Sequence, residues 1–286
     1  MKNKFSLFTV LMTIVALIIG NLVVATNSGD ACGSDWPKCN GTFFPNITNG
    51  QILVEYSHRI FTTLLGFVIL LNAIFAWIRL RKKKTKWLAV LSFSLLGLQS
   101  IVGGLNVLLG TPVGFTFFDV TVSLLLLISV IYLYYALANQ DGVAAIKPKK
   151  SSFLKPANFV LLFIMVETLV GAIFKHPRFS KLLYGNYNGE VLINSRVLAQ
   201  FLYFIHGFLG LALVLTTAYL LFLAIKANQY KFKVSLLVAA LGTTTFFGFL
   251  TNALQLSPAA SSFHMIFTII SISIAASIAA RERLGG

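Results

Sequence analysis

Eight apolar runs, each long enough to cross a bilayer, decide what this chain can fold into. They cover residues 5–26, 52–78, 87–109, 113–137, 157–175, 197–226, 232–254 and 260–280. A helical span needs about 20 apolar residues at about 1.5 Å of rise each. Composition points the same way: 57% of residues are hydrophobic and 11% charged, and the mean hydropathy is +0.84. No soluble domain of this length needs so much apolar surface. The sequence therefore predicts an all-α membrane protein with eight transmembrane helices. Lys2 and Lys4 before the first run resemble the start of a signal peptide. Asn21 to Thr26 offers no clear small-x-small cleavage site and the run is long, so it is read as a span.

Basic residues set the expected orientation. Lys2 and Lys4 precede the first span; Arg79, Arg81, Lys82, Lys83, Lys84 and Lys86 join the second to the third. Lys147, Lys149, Lys150 and Lys155 join the fourth to the fifth. Lys226, Lys231 and Lys233 join the sixth to the seventh, and Arg281 and Arg283 follow the eighth. These are 17 of the 23 basic residues, all on one side. By the positive-inside rule that side is cytoplasmic and holds both termini. The net charge of +15 is thus mainly a topology signal. Its carriers sit in short loops between spans, which disfavours a nucleic-acid partner and suits anionic lipid of the bilayer.

The outer side then carries long loops at 27–51 and 176–196 and two short ones. This long, short, long, short order suggests a duplication: a four-helix half over 1–137, a cytoplasmic linker over 138–156 and a second half over 157–286. An even number of spans per half makes the two bundles parallel and pseudo-symmetric about an axis along the membrane normal. Asn139-Gln140-Asp141-Gly142 and Lys147-Pro148-Lys149-Lys150 give the linker its polar, helix-breaking character. Gly20 and Gly171 fall near the ends of the first and fifth spans, Gly103 and Gly248 near the ends of the third and seventh. Small residues there would let helices approach closely. Pro112 and Pro258 follow, then Asp119 and His264.

Three of the four histidines lie inside spans that enter from the outer side. His58, Asp119, His206 and His264 all fall roughly 6–14 Å below the outer interface at 1.5 Å per residue. Imidazole in hydrocarbon is uncommon and usually functional. A lone histidine there is often an interhelical hydrogen-bond partner, but three at one depth point to metal or haem. His206 and His264 are placed to ligate one haem iron from opposite faces, with His58 and Asp119 as the corresponding pair. His176, before Pro177 in the second outer loop, reads most simply as a solvated histidine. Glu167 in the fifth span is a buried acid without an evident partner.

Around His58 the sequence reads Glu55-Tyr56-Ser57-His58-Arg59. Glu55 and His58 share a helical face, so the carboxyl group is a candidate to orient the imidazole or to act as acid or base on a substrate. Arg59 suits a haem propionate, because its fork matches a carboxylate. The alternative is that Glu55 and Arg59, at i and i+4, pair with each other at the interface. The first outer loop holds both cysteines, Cys32 and Cys39. On an oxidising side such a pair reads as a disulfide, with two free thiols as the alternative. Asn40-Gly41-Thr42 and Asn46-Ile47-Thr48 fit the glycosylation sequon, a motif common by chance.

Residues 26–41, Thr26-Asn27-Ser28-Gly29-Asp30-Ala31-Cys32-Gly33-Ser34-Asp35-Trp36-Pro37-Lys38-Cys39-Asn40-Gly41, followed by Glu55-Tyr56-Ser57-His58-Arg59, resemble the signature of the heme A synthase family. The resemblance extends over the chain as eight spans in two halves; the second half matches mainly through His206, His264 and the proline-led turn. It implies a plasma-membrane enzyme that oxidises a methyl group of heme o to the formyl group of heme a, supporting cytochrome oxidase biogenesis. It also implies a haem b held by His206 and His264, and activity that involves the cysteine pair and Glu55. Heme o would lie near His58, and oxidation would proceed by successive hydroxylation with water lost from a gem-diol. Partners on this reading are a heme o-producing farnesyltransferase, the oxidase assembly machinery and an electron donor. One departure stands out: where the family usually has a histidine in the fourth span, this chain has Asp119, so the first-half site has one imidazole and either a carboxylate or an open face. A haem-binding electron carrier, or a factor that delivers haem to an oxidase, is the non-enzymatic alternative.

Overall fold

A computed structural model describes residues 3–36, 38–110, 112–140, 153–176, 178–183 and 191–284. Backbone amides in hydrocarbon have no water to pair with, so each apolar run must close its hydrogen bonds internally as a helix. The helices are α1 (Lys4–Ala25), α2 (Gly50–Arg79), α3 (Lys83–Leu108), α4 (Thr116–Gln140), α5 (Leu154–Lys175), α6 (Phe179–Leu183), α7 (Arg196–Ala227), α8 (Lys231–Ala253) and α9 (Pro258–Leu284). All but the short α6 are long and apolar enough to span a membrane, giving the eight expected spans. The predicted linker's segment 141–152, with Lys147, Pro148, Lys149 and Lys150, lies outside the described residues, as do Pro37 and Pro177.

Polar residues in the flanks set the helix ends. Asn49 caps α2 by accepting from the Gln51 amide at 2.9 Å, and Ser195 caps α7 by accepting from the Leu198 amide at 3.2 Å. Asn228 closes α7 in the left-handed region, φ 53°, a conformation that asparagine tolerates. Pro258 opens α9, where its missing amide hydrogen is not needed. Arg79, Lys226, Arg281 and Arg283 sit in last turns, favourably placed for the helix dipole.

Neighbour relations form two rings. Helix α1 packs on α2, α2 on α3, α3 on α4, and α4 returns to α1. Likewise α5 packs on α7, α7 on α8, α8 on α9, and α9 returns to α5. The rings meet through α4 with α9, α1 with α9 and α4 with α5. The core at this junction buries Leu124, Leu127, Val130 and Ile131 of α4 with Ile269, Ile272 and Ala276 of α9. The outer helices α2, α3, α7 and α8 turn large side chains such as Leu64, Leu91, Leu215 and Phe246 outward. Spans apolar on all sides are what a lipid exterior requires.

Polar ties between helices identify the two ends of the bundle. Asn21 Nδ2 donates to Ser262 O at 3.3 Å and Lys175 Nζ to Ser261 Oγ at 3.0 Å; this is the end of the cysteine loop. At the other end Lys233 Nζ contacts Tyr135 OH at 3.0 Å, Gln140 Nε2 donates to Arg79 O at 2.7 Å, and the Asn139 side chain donates to Leu284 O. Buried hydroxyls mostly bond back along their own helices: Thr13 to Thr9 O at 2.8 Å, Thr217 to Leu213 O at 2.8 Å, Ser271 to Phe267 O at 2.8 Å. Ser92 also reaches Ser129 Oγ across α3 and α4 at 3.2 Å.

Because the junction of the rings is closely packed, Ile269→Ala is expected to destabilise the protein by about 2–5 kcal/mol. Leu215→Ala, on the outer face, should stay within about 0.5 kcal/mol. Denaturant unfolding in detergent micelles measures both.

Candidate functional site

Toward the cysteine-loop end both rings open into one cavity of about 1600 Å³, whose wall includes His58, Asp119, His206 and His264. Sites for single small molecules run to about 1000 Å³, so this space is large enough for more than one guest or for a bulky one. All four positions singled out by depth thus reach a common chamber.

Each stands against a glycine of the preceding span. A Cβ at Gly20 of α1 would lie 3.0 Å from His58 Cε1. One at Gly171 of α5 would lie 2.7 Å from His206 Cε1, and one at Gly248 of α8 would lie 3.2 Å from His264 Cε1. At Gly103 of α3 the corresponding distance to Asp119 Oδ1 is 3.7 Å. The glycines let neighbouring backbones come close enough for the polar side chains to stand between them.

In the second ring the imidazoles of His206 and His264 lie 6.1 Å apart between centroids with planes at 81°. His264 Nδ1 is 2.8 Å from Thr244 O. A carbonyl only accepts, so Nδ1 carries the proton and Nε2 keeps its lone pair. His206 Nδ1 lies 2.8 Å from Glu167 Oε1. The alignment is poor for a hydrogen bond, but the charge contact is close and it likewise engages Nδ1 and spares Nε2. Two metal–imidazole bonds of about 2 Å each, plus the ring radii, place centroids about 6 Å apart. The separation of the pair is compatible with an iron between its rings, and the Thr244 and Glu167 contacts are of the kind that orient metal-bound histidines. Sequence reading left Glu167 without a partner. The available signal was its i, i+4 relation to Gly171, which puts the carboxyl group and the His206 contact on one face of α5.

The first ring is built differently. His58 Nδ1 is buried with no hydrogen-bond partner among the described residues. Asp119 Oδ1 accepts from Gln99 Nε2 at 2.6 Å. Gln99 Oε1 and Asn106 Oδ1 are also buried and unpaired among those residues. One imidazole, one amide-held carboxyl group and several unmatched polar atoms leave this end able to take further hydrogen bonds.

Glu55 and Arg59 pair with each other at 2.6 Å, the alternative left open in the sequence, and are 3% and 5% exposed. The pair also secures the outer loop. Glu55 Oε2 accepts from the Cys32 amide at 2.8 Å, while Arg59 donates to Lys38 O at 2.9 Å and to Gly33 O at 2.6 Å. Cys32 and Cys39 are joined as a disulfide. The Asn40 amide side chain donates to Ala31 O at 3.0 Å, and Asn46 Oδ1 accepts from the Thr48 amide at 3.0 Å. His176 departs from the solvated reading. It is half-buried on the cavity wall, and burial, with the Lys175 charge beside it, lowers its pKa to about 3.

Removing the Arg59 guanidinium leaves the Glu55 carboxyl group buried and unpaired, a loss of about 3–5 kcal/mol when one partner of such a pair is deleted. Arg59→Met is therefore expected to loosen the loop, seen as faster tryptic cleavage after Lys38 with the disulfide still formed. Mass spectrometry of non-reduced wild-type protein should find no free thiol at Cys32 or Cys39.

Comparison with known proteins gives the arrangement a family. A stretch of 107 residues is 39% identical to the heme A synthase of Geobacillus kaustophilus, covering 37% of this chain and 34% of that protein. The heme A synthase of Bacillus licheniformis is 33% identical over 177 residues, 59% of this chain and 57% of the relative. That of Bacillus pumilus is 32% identical over 191 residues, 63% and 61% respectively. In each case the chain spans less than two thirds of the relative's length. The family model for COX15-CtaA, cytochrome oxidase assembly protein, matches residues 46–197, just over half of the chain and including Glu55, His58, Arg59 and Asp119. With eight spans and this match, the chain belongs to the COX15-CtaA family of cytochrome oxidase assembly proteins.

Proposed function

We propose that this protein oxidises the methyl group of heme o to the formyl group of heme a and so serves cytochrome oxidase biogenesis. The observation that carries this reading is the His206–His264 pair, with Nδ1 of each ring in contact with an oxygen and a ring separation that would admit an iron between them. A haem b is the resident group at that pair, and bound there it supplies one-electron chemistry. His206 and His264 hold the iron, while Glu167 and Thr244 fix the tautomers and ring angles. The substrate, heme o, occupies the end of the cavity beside His58, where the unmatched polar atoms lie. Glu55 acts as the acid–base or positioning group and Arg59 faces a propionate. Both line the cavity while also anchoring the loop, so a substrate carboxylate would share Arg59 with the acceptors it already has.

The two rings are read as parallel halves, residues 1–137 and 157–286, joined by the 138–156 linker. The repeated packing order and the four glycine contacts support that division. Basic residues clustered at one end support cytoplasmic termini in the plasma membrane, with the disulfide loop on the outer face. A heme o-forming farnesyltransferase supplies the substrate, oxidase assembly consumes the product, and a membrane electron donor completes the reaction. One feature favours the second reading, a non-enzymatic haem carrier or delivery factor: Asp119 is held by Gln99 where an imidazole is expected.

Co-expression with a heme o source separates the two readings. Extracted membranes should contain heme a by mass spectrometry; heme o alone would establish the carrier. The purified protein should show a low-spin, six-coordinate b-type spectrum that His206→Ala or His264→Ala abolishes.

A carboxylate is a harder ligand than imidazole and is costly at this depth unless paired or protonated. Asp119→His is accordingly expected to drive haem bound beside His58 toward a six-coordinate, low-spin form. Asp119→Ala should leave the second-ring spectrum intact. Haem-loaded optical spectra of both variants make the check.

A further inference from the structure

Lys175 ends α5 on the cavity wall. Its Nζ contacts Ser261 Oγ of α9 at 3.0 Å, and among the described residues no carboxylate forms an ion pair with it. An ammonium has three donors, and one hydroxyl is a poor match for a cation in the wall of a membrane-embedded chamber. The position of this tie within the second ring is informative. Lys175 follows Gly171, the residue against His206, by one helical turn. Ser261 precedes His264 by just under one turn. The Lys175–Ser261 tie therefore sits about 5 Å from the imidazole pair toward the cysteine-loop end.

A macrocycle held between the two rings with its plane along the helix axes would bring its carboxylate edge roughly a turn above or below the imidazole pair. In the other direction the wall combines Ile164, Leu213 and Leu241 with the threonines Thr168 and Thr268 and the Glu167 carboxyl group, and among the described residues it offers no lysine or arginine to receive an anion. We propose that Lys175 and Ser261 form a carboxylate-binding site for a propionate of the macrocycle held by His206 and His264. This rests on the haem reading given above. The ammonium pairs with the propionate, and the serine hydroxyl holds the ammonium in place.

Among the described residues the first ring has no matching lysine. The residue one turn beyond Gly20, where Lys175 stands beyond Gly171, is Val24, and Arg59 is committed to Glu55 and the loop carbonyls. A propionate held by Lys175 in the second ring, against one that must share Arg59 with Glu55 and the loop carbonyls in the first, would keep one macrocycle more firmly than the other, as a resident cofactor and a departing product require.

Two variants and a modified ligand test the site on protein loaded with haem b. Lys175→Met should keep the low-spin spectrum, because the iron ligands are untouched. It should lower the midpoint potential, because a cation favouring the reduced state is gone, and release haem at least about tenfold faster. Lys175→Arg should restore most of the retention. In wild-type protein the dimethyl ester of haem b, which has no carboxylates, should be released as fast as from Lys175→Met and should show no further change in that variant. Unchanged potential and release in Lys175→Met, or an equal effect of that substitution on the diester, would overturn the clamp. Failure of the underlying haem reading looks different: wild-type protein would bind no low-spin haem, or His206→Ala would keep it.

Discussion

An imidazole or a carboxyl group can stand between two packed helices only where the neighbouring helix presents no side chain, and the whole arrangement depends on that condition. Gly20, Gly171 and Gly248 meet it for the three imidazoles, while at Gly103 an added Cβ would make ordinary contact with Asp119 at 3.7 Å. At Gly171 the clearance is small enough that an added methyl group would sit 2.7 Å from the His206 ring, below ordinary contact. The close approach of α5 to α7 and of α8 to α9, the standing of the rings in the chamber, and the reach of Glu167 to His206 all follow from those positions. Glycine is an expensive helix residue in water; between membrane helices the packing it permits offsets that cost.

The eight spans were legible because hydrocarbon imposes a length and a polarity that few other structures share. Their ends shifted by a few residues: the second run, expected over 52–78, forms α2 from Gly50 to Arg79 because Asn49 caps it in the polar flank. The short helix Phe179–Leu183 gave no such signal, since five residues hold too little periodicity to read. It packs through Phe179 and Leu182 against α7.

Within the site, the common depth of His58, Asp119, His206 and His264 could be read by counting residues, because rise per residue is constant. Lateral contacts could not. The partner of Glu167 comes from a different span, and the acceptors of Arg59 are backbone carbonyls of Gly33 and Lys38, which carry no side-chain signature. His176 looked solvated because it precedes a proline in a loop, yet it stands half-buried on the wall of the chamber. The Gln99 amide on Asp119 was equally invisible, as a single glutamine in a span has no preferred neighbour in sequence.

Glu55, His58 and Arg59 occupy little more than one turn of α2, and two of them grip the disulfide loop through Cys32, Gly33 and Lys38. That turn behaves as a shared hinge pin: the loop bears on one side of it and the chamber on the other. A displacement of the loop cannot be absorbed by side-chain motion alone, since both side chains of the buried pair are held by hydrogen bonds to each other and to the loop. It must be passed on as rotation or tilt of the first turns of α2, and the bearing of the His58 ring against Gly20 would change with it.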